Sequence, residues 1–370
     1  MADKYTFSRF INNLSKFIDE PARVYMSTSG GGAYNPATEI REYIFQVHGE
    51  GGMRLLDHED NYKVVYEYTW GSTSAERWGI SYYDSVSDSF IQHQPTGKWG
   101  SSTDYIVDDA CLYSRNEEKE YIYKVGHNDG VFYWDPDDPT NIIHIVVGEP
   151  SGPYLRRRKC LAVFDGYIWV GGMHSSGTDR AGIMRSTTGD NRDFWTYWLW
   201  NDHVPSSDPK YNTFYVWSIS KLDDHIFWGT SLGQIWGDIN GGNSCIFDFR
   251  PGDTTDNPIK GLVKFRTHYV ASSKYEIAIS SDGLNWTQQP VPADLKQIHK
   301  VLVLDDVLFL LGQNTSNHPM VWNTVNYVDW YPFFEVTTQT HWYVYDMLFD
   351  GSYFWISDKT SVRLLQSTKM

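Results

Sequence analysis

Three short runs hold side chains that can do chemistry. SSDGLNWT (Ser280–Thr287) packs two serines, an aspartate, a glycine and a tryptophan into eight residues. Such a run can bind a ligand, hold a cation or close a turn. YWDPDDPTN (133–141) brings Asp135, Asp137 and Asp138 together, and hard cations such as Ca2+ take several oxygen ligands of this kind. The run lacks the glycine and the distal glutamate of an EF-hand loop, and its prolines suit a plain acidic turn. Arg156, Arg157 and Arg158 are consecutive. Successive strand residues point to opposite faces, so three in a row do not converge on one carboxylate. They read as a solvated loop before a strand, or as contacts with an acidic partner. The 12 histidines are scattered, without the H-x-H or H-E-x-x-H spacing of a metal site. GEGG (49–52) and SGGG (29–32) lack a following helix start with a lysine, so they are connectors rather than phosphate cradles. No residue receives a catalytic role, and no metal or cofactor is expected.

The elements that must carry these residues repeat. KCLAVFDGYIWVGG (159–172) reads as an apolar strand, a tight Asp-Gly turn and a second apolar strand ending in glycine. WSISKLDDHIFWGT (217–230), HKVLVLDDVLFLLG (299–312) and VYDMLFDGSYFWIS (344–357) follow the same plan. KGLVKFRTHYVAS (260–272) is a weaker copy, and earlier copies turn near Asn116 and Asp60. The turns at 60, 116, 165, 223, 266, 305 and 350 are 56, 49, 58, 43, 39 and 45 residues apart. Units of this size with several strands each are the signature of a β-propeller. One unit cannot bury both apolar faces alone, so neighbours must stack. The expected fold is all-β: a propeller of about seven blades over 42–370, with six or eight also compatible with the uneven spacing. AGIMRST (181–187) and FWTYWLW (194–200) read as third and fourth strands of one blade. The last unit is short, since only STKM follows VRLLQ (362–366). EYIFQVHG (42–49), or a strand close by, is expected to complete it from the N-terminal side and remove an exposed edge. Residues 1–41 form an arm. Within it Phe7, Phe10, Ile11, Leu14, Phe17 and Ile18 have the spacing of a short amphipathic helix, and Phe10 and Phe17 are candidate partner contacts.

Composition narrows the class. Aromatic residues make up 16% of the chain, with 16 Trp and 26 Tyr, which suits pleated surfaces. The formal net charge is −15, so sequence-specific nucleic-acid binding is not expected and a phosphate backbone would pass without sticking. Three cysteines make no disulfide framework. The start, MADKYTFSRFINNL, lacks the apolar core of a signal peptide, and no run reaches the length of a membrane span. The expectation is a protein made in a cytoplasm.

SSDGLNWT resembles an Asp-box, the S-x-D-x-G-x-x-W hairpin of sialidase-like and related propellers. Here it takes a compact form through Ser280, Asp282, Gly283 and Trp286. A looser copy is STTGDNRDFW, with Ser186, Gly189, Asp190 and Trp195. The resemblance covers eight residues of 370 and implies a structural hairpin between third and fourth strands, away from the axis. A sialidase would also need an arginine triad, a Tyr-Glu pair and an acid/base aspartate, and no early Arg-Ile-Pro-type motif is present.

A longer stretch, 156–195, resembles a pattern in tail hub and nozzle proteins of short-tailed bacteriophages. A basic residue precedes a strand, a strand ending in glycine follows, and an S-x-x-G-D hairpin leads to F/W. This resemblance implies a non-enzymatic structural protein of a virion, assembled in the host cytoplasm as a homo-oligomeric ring. It would contact other tail proteins and line or close a channel through which DNA passes. Arg156, Arg157 and Arg158 are candidate partner contacts in that setting. The alternative is a glycan-binding propeller using the aromatic runs FWTYWLWNDH (194–203) and NYVDWYPFF (326–334), unless those rings pack between blades. A sialidase-like glycosidase is a third reading.

Overall fold

The structure, a computed structural model, describes residues 34–44, 53–58, 61–67, 78–93, 108–115, 119–126, 130–136, 138–150, 154–174, 180–211, 213, 215–239, 242–337, 344–358 and 361–369. The expected helix over 7–18, with Phe10 and Phe17, lies outside the described residues.

Strand β1 (Thr38–Ile44) comes first. Blade 1 is β2 (Arg54–His58), β3 (Asn61–Glu67), β4 (Trp78–Asp84) and β5 (Ser89–His93). Blade 2 is β6 (Asp109–Arg115), β7 (Lys119–Gly126), β8 (Gly130–Asp135) and β9 (Asp138–Ile145). Blade 3 is β10 (Leu155–Phe164), β11 (Tyr167–His174), β12 (Ala181–Ser186) and β13 (Trp195–Leu199). Blade 4 is β14 (Val216–Leu222), β15 (His225–Thr230), β16 (Gln234–Gly237) and β17 (Ser244–Asp248). Blade 5 is β18 (Gly261–Phe265), β19 (His268–Ser272), β20 (Ile277–Ser280) and β21 (Thr287–Gln289). Blade 6 is β22 (Leu295–Leu304), β23 (Val307–Asn314), β24 (Pro319–Thr324) and β25 (Tyr331–Glu335). Blade 7 has β26 (Val344–Phe349), β27 (Phe354–Asp358) and β28 (Ser361–Gln366), with β1 as its fourth strand.

Blades 1 to 6 are antiparallel four-stranded meanders, and blade 7 is a three-stranded meander completed by antiparallel β1. The first strands touch one another in series, β2, β6, β10, β14, β18, β22 and β26, and β26 returns to β2. They therefore surround the axis. All seven expected turns fall between the first and second strands of a blade. Asp165 (φ 54) with Gly166 (φ 73), and Asp305 (φ 48) with Asp306 (φ 58), are left-handed, as two-residue hairpins with the right twist demand. Because strands alternate, the first-to-second and third-to-fourth turns share one end of the ring. Among the described residues, the second-to-third connection 231–233 and the blade-to-blade connection 249–260 lie at the opposite end.

Seven hydrophobic clusters each join two neighbouring blades. This is why second strands are apolar on both faces: every described residue of β23 is buried. The recurring glycine at the end of these strands has a packing reason. A Cβ on Gly171 would lie 2.6 Å from Cys160 Sγ and 2.8 Å from Val216 of the next blade. On Gly312 it would lie 2.3 Å from the Gln297 carbonyl oxygen.

The ring closes through β1, which pairs with β28 from Thr38↔Gln366 to Ile44↔Ser361. The closing strand starts four residues before the expected 42–49 run. Tyr34 bridges to Lys369, and its backbone N–H donates to Asn323 of blade 6.

Candidate functional site

The SSDGLNWT hairpin joins β20 to β21. Ser280 Oγ accepts the N–H groups of Asp282 (3.3 Å) and Gly283 (2.8 Å). Asp282 Oδ1 accepts those of Leu284 (2.9 Å) and Asn285 (2.8 Å), and the Asn285 amide donates to Oδ2 at 2.7 Å. These donors, the Asn285 groups foremost, hold the Asp282 carboxyl far below its usual range. Gly283 sits at φ 77, and a Cβ there would come within 2.9 Å of Phe227 and Ile239 of blade 4. The Trp286 indole donates to the Gly283 carbonyl (2.9 Å) and its ring meets Phe227 and Phe247. The hairpin thus clamps blade 5 onto blade 4.

A second hairpin, between β12 and β13, repeats the first half of this pattern. Ser186 Oγ accepts the N–H groups of Thr188 (3.1 Å) and Gly189 (2.9 Å), and Thr188 Oγ1 accepts that of Asp190 (3.1 Å). Thr188, not Asp190, stands where Asp282 does. Trp195 does not anchor this copy: it is 55% exposed while Phe194 is fully buried. The hairpin leans on blade 2, whose Tyr113 hydroxyl donates to the Thr187 carbonyl at 2.5 Å.

A third hairpin, TVNYVDW between β24 and β25, was not recognised from sequence. Thr324 Oγ1 accepts the Asn326 N–H (3.2 Å), and Asn326 Oδ1 accepts those of Val328 (3.1 Å) and Asp329 (2.9 Å). Asn326 and Asp329 exchange the roles of Asp282 and Asn285, and keep the side-chain bond at 2.7 Å. Tyr327 takes the glycine position at φ 66 and donates to the Phe265 carbonyl of blade 5 (3.0 Å).

Asp282→Ala is expected to lower the thermal midpoint by several degrees at neutral pH. A depressed carboxylate stabilises the fold above its unfolded value, 3.8, and loses that contribution as pH falls further. The gap between variant and wild type, followed by calorimetry, should therefore begin to narrow below about pH 4 and go on narrowing as the pH falls toward the depressed folded value. A gap that stays constant to pH 2 would contradict this origin.

The axis is where chemically capable groups converge. The inner strands have register irregularities near their starts, between Arg156 and Cys160, Val216 and Ser218, Ile298 and Lys300, and Val344 and Asp346. Such bulges re-aim side chains. Lys159 Nζ reaches both oxygens of Asp108, at 3.2 and 3.1 Å. Arg54 Nε lies 3.5 Å from Asp109, and Lys300 Nζ lies 2.6 Å from Asp346. Asp109 also accepts the Leu161 N–H at 2.9 Å. Burial pushes the Asp109 carboxyl up, opposed by Arg54 and Lys300. Lys159 lies 5.0 Å from the Trp217 ring centre and 5.7 Å from that of Tyr215. At the other end of the axis an open cavity of about 490 Å³ is lined by β10, β14, β18 and β22. Its lining includes Val163, Val263 and Val303, and its lysines, Lys221 and Lys264, are paired with Asp165 and Asp223.

The arginine run differs from the expected solvated loop. It lies inside β10, and Arg158 is only 3% exposed, so its guanidinium is enclosed rather than offered to a partner surface. The acidic run holds a tight turn: Asp135 pairs with Lys119 at 2.6 Å, and Asp137 lies outside the described residues. Among the described residues no group of three His, Cys, Asp or Glu is placed to hold a metal ion. The aromatic runs are mostly packing: Trp198, Trp200, Tyr327 and Phe333 are buried, leaving Trp195 and Tyr331 exposed. No helix among the described residues is long and apolar enough to cross a membrane.

No family model matches the chain, and no curated protein matches it. Solved structures do. A virginiamycin B lyase from Staphylococcus aureus is 13% identical, with a TM-score of 0.57 over 88% of this chain and 98% of that one. A chain of a mitotic checkpoint complex is 12% identical, with a TM-score of 0.58 over 89% of this chain and 95% of that one. At such identities the likeness is one of β-propeller fold alone.

Proposed function

We propose that this chain is a non-enzymatic structural protein of a bacteriophage tail, a hub- or nozzle-type ring component. One observation carries the reading: the stretch that resembles tail hub and nozzle proteins, 156–195, coincides with most of one blade. It runs from the second residue of β10 through β11 and β12 to the first residue of β13. A resemblance that follows a folding unit is what shared ancestry of a blade would leave. The engagement of axial Lys159, Arg54 and Lys300 in ion pairs between blades also suits a rigid scaffold. Its partners are other tail proteins and further copies of itself, and the net charge of −15 lets DNA pass without sequence-specific binding.

The test is location. Antibody against the chain, applied to purified particles of the phage that encodes it, should label the tail end in electron micrographs. Chain absent from purified particles overturns the reading. A glycan-binding propeller would instead bind a glycan array, with binding lost in Trp195→Ala or Tyr331→Ala.

A further inference from the structure

The axial charges near the long-connection end do not all have partners. Arg54 pairs with Asp109, Lys159 with Asp108, Lys300 with Asp346, and Lys274 lies 3.7 Å from Asp256. Lys260, immediately before β18, has no carboxylate within ion-pair distance among the described residues. Its ammonium lies 4.3 Å from the centre of the Trp217 ring, the same ring that Lys159 approaches. The Trp217 indole N–H is enclosed and has no acceptor among the described residues. The enclosed indole N–H is out of a ligand's reach, but the Lys260 ammonium over the ring face is an unmatched donor, and an acceptor that carries negative charge would match it.

We propose that the axial mouth formed by Lys260, Lys159 and Trp217 binds a small oxyanion, a carboxylate or a phosphate, with Lys260 as its ionic anchor. An ammonium-to-oxyanion hydrogen bond is charge-assisted, and it strengthens where water is partly excluded. Lys159, its charge balanced by Asp108, lines the mouth beside the anchor, so the unbalanced charge is that of Lys260. The flat face of Trp217 limits the ligand's approach. The acidic remainder of the chain repels a long polyanion at a distance, so the site favours a small one.

Lys260 also responds to pH. Desolvation foremost lowers its pKa to about 8, with Lys274 and Lys159 adding to the fall and Asp256 and Asp108 opposing it. The anchor is charged at neutral pH and loses its proton above that value. Anion affinity should drop with it, in proportion to the charged fraction.

Calorimetric titration of the whole chain with inorganic phosphate, and separately with citrate, tests the site at constant ionic strength set by chloride. At least one anion should bind saturably near pH 7.5, and the responding arm identifies phosphate or carboxylate chemistry. Affinity should fall roughly tenfold or more at pH 9.5. Lys260→Met should weaken binding by a similar factor at pH 7.5, with a thermal midpoint at or above that of wild type because an unmatched charge is removed. Lys260→Arg should retain binding at pH 9.5, since a guanidinium keeps its charge. Absence of saturable binding by either anion, or unchanged affinity in Lys260→Met, overturns the proposal. No virion enters this experiment, so its outcome is separate from that of the tail assignment.

Discussion

Arg363→Met is expected to destabilise the protein by about 3 kcal/mol, the scale for removing one partner from a buried ion pair. Arg363 lies on β28 and is 3% exposed. Its guanidinium contacts the carboxylates of Asp358 and Glu42, and its Nε lies 3.0 Å from Glu39. Asp358 is itself 1% exposed and accepts the Ser361 N–H and hydroxyl. Without the arginine a buried carboxylate keeps its desolvation cost and loses its counter-ion. Glu39 and Glu42 belong to β1, so the same change loosens the closing strand. Urea unfolding should show the lost stability, and hydrogen exchange should show faster exchange along 38–44. Glu42→Gln is the control: Glu42 is part-exposed, so its effect should stay below about 1 kcal/mol. Equal effects from the two variants would mean that Arg363 does not act through Asp358.

Gly229→Ala should cost a similar amount, about 2–3 kcal/mol, by overpacking. A Cβ at this position would lie 2.2 Å from Ile259 Cβ and 2.7 Å from Ser218 Oγ. Ile259 is backbone-tied to the same strand, since its N–H donates to the Thr230 carbonyl at 3.1 Å. Neither side can retreat without moving the seam between blades 4 and 5. Ile259→Ala alone should destabilise by leaving a cavity. Combined with Gly229→Ala, it should recover part of the loss. A double-mutant cycle reads this as a coupling of about 1 kcal/mol or more, and strictly additive changes would refute the steric account.

The repeat was legible because its turns have a strict chemical requirement. Positions such as Asp165–Gly166 and Asp305–Asp306 need left-handed backbone, and short polar residues or glycine meet that need most readily. The terminal glycines were visible as a pattern, but their reason lies in contacts such as Gly229 against Ile259. The Asp-box resemblance pointed to a hairpin between third and fourth strands, where Ser280–Trp286 lies. The TVNYVDW hairpin escaped because threonine, asparagine and tyrosine replace serine, aspartate and glycine while keeping the same hydrogen bonds. Trp195 misled because adjacent residues on a strand face opposite ways, and Phe194 is the one turned inward. The axial cluster had no local signature. Asp108, Lys159, Trp217 and Lys260 come from four blades, and only ring closure brings them together. Arg158 was misplaced for a related reason: its strand is irregular, and the turn pattern does not report a bulge.

The pairing of β1 with β28 gives the ring a preferred line of mechanical failure. Tyr34 and Lys369 bridge beside the Thr38↔Gln366 pair, at one end of an antiparallel ladder. Tension applied between residues 34 and 369 does not shear this ladder. It peels the ladder open one rung at a time, from the Tyr34–Lys369 bridge and the Asn35–Thr368 bonds through Thr38↔Gln366 to the Arg363 contacts. A load carried through the two ends of the propeller would unzip a single seam while the other six sheets stay folded.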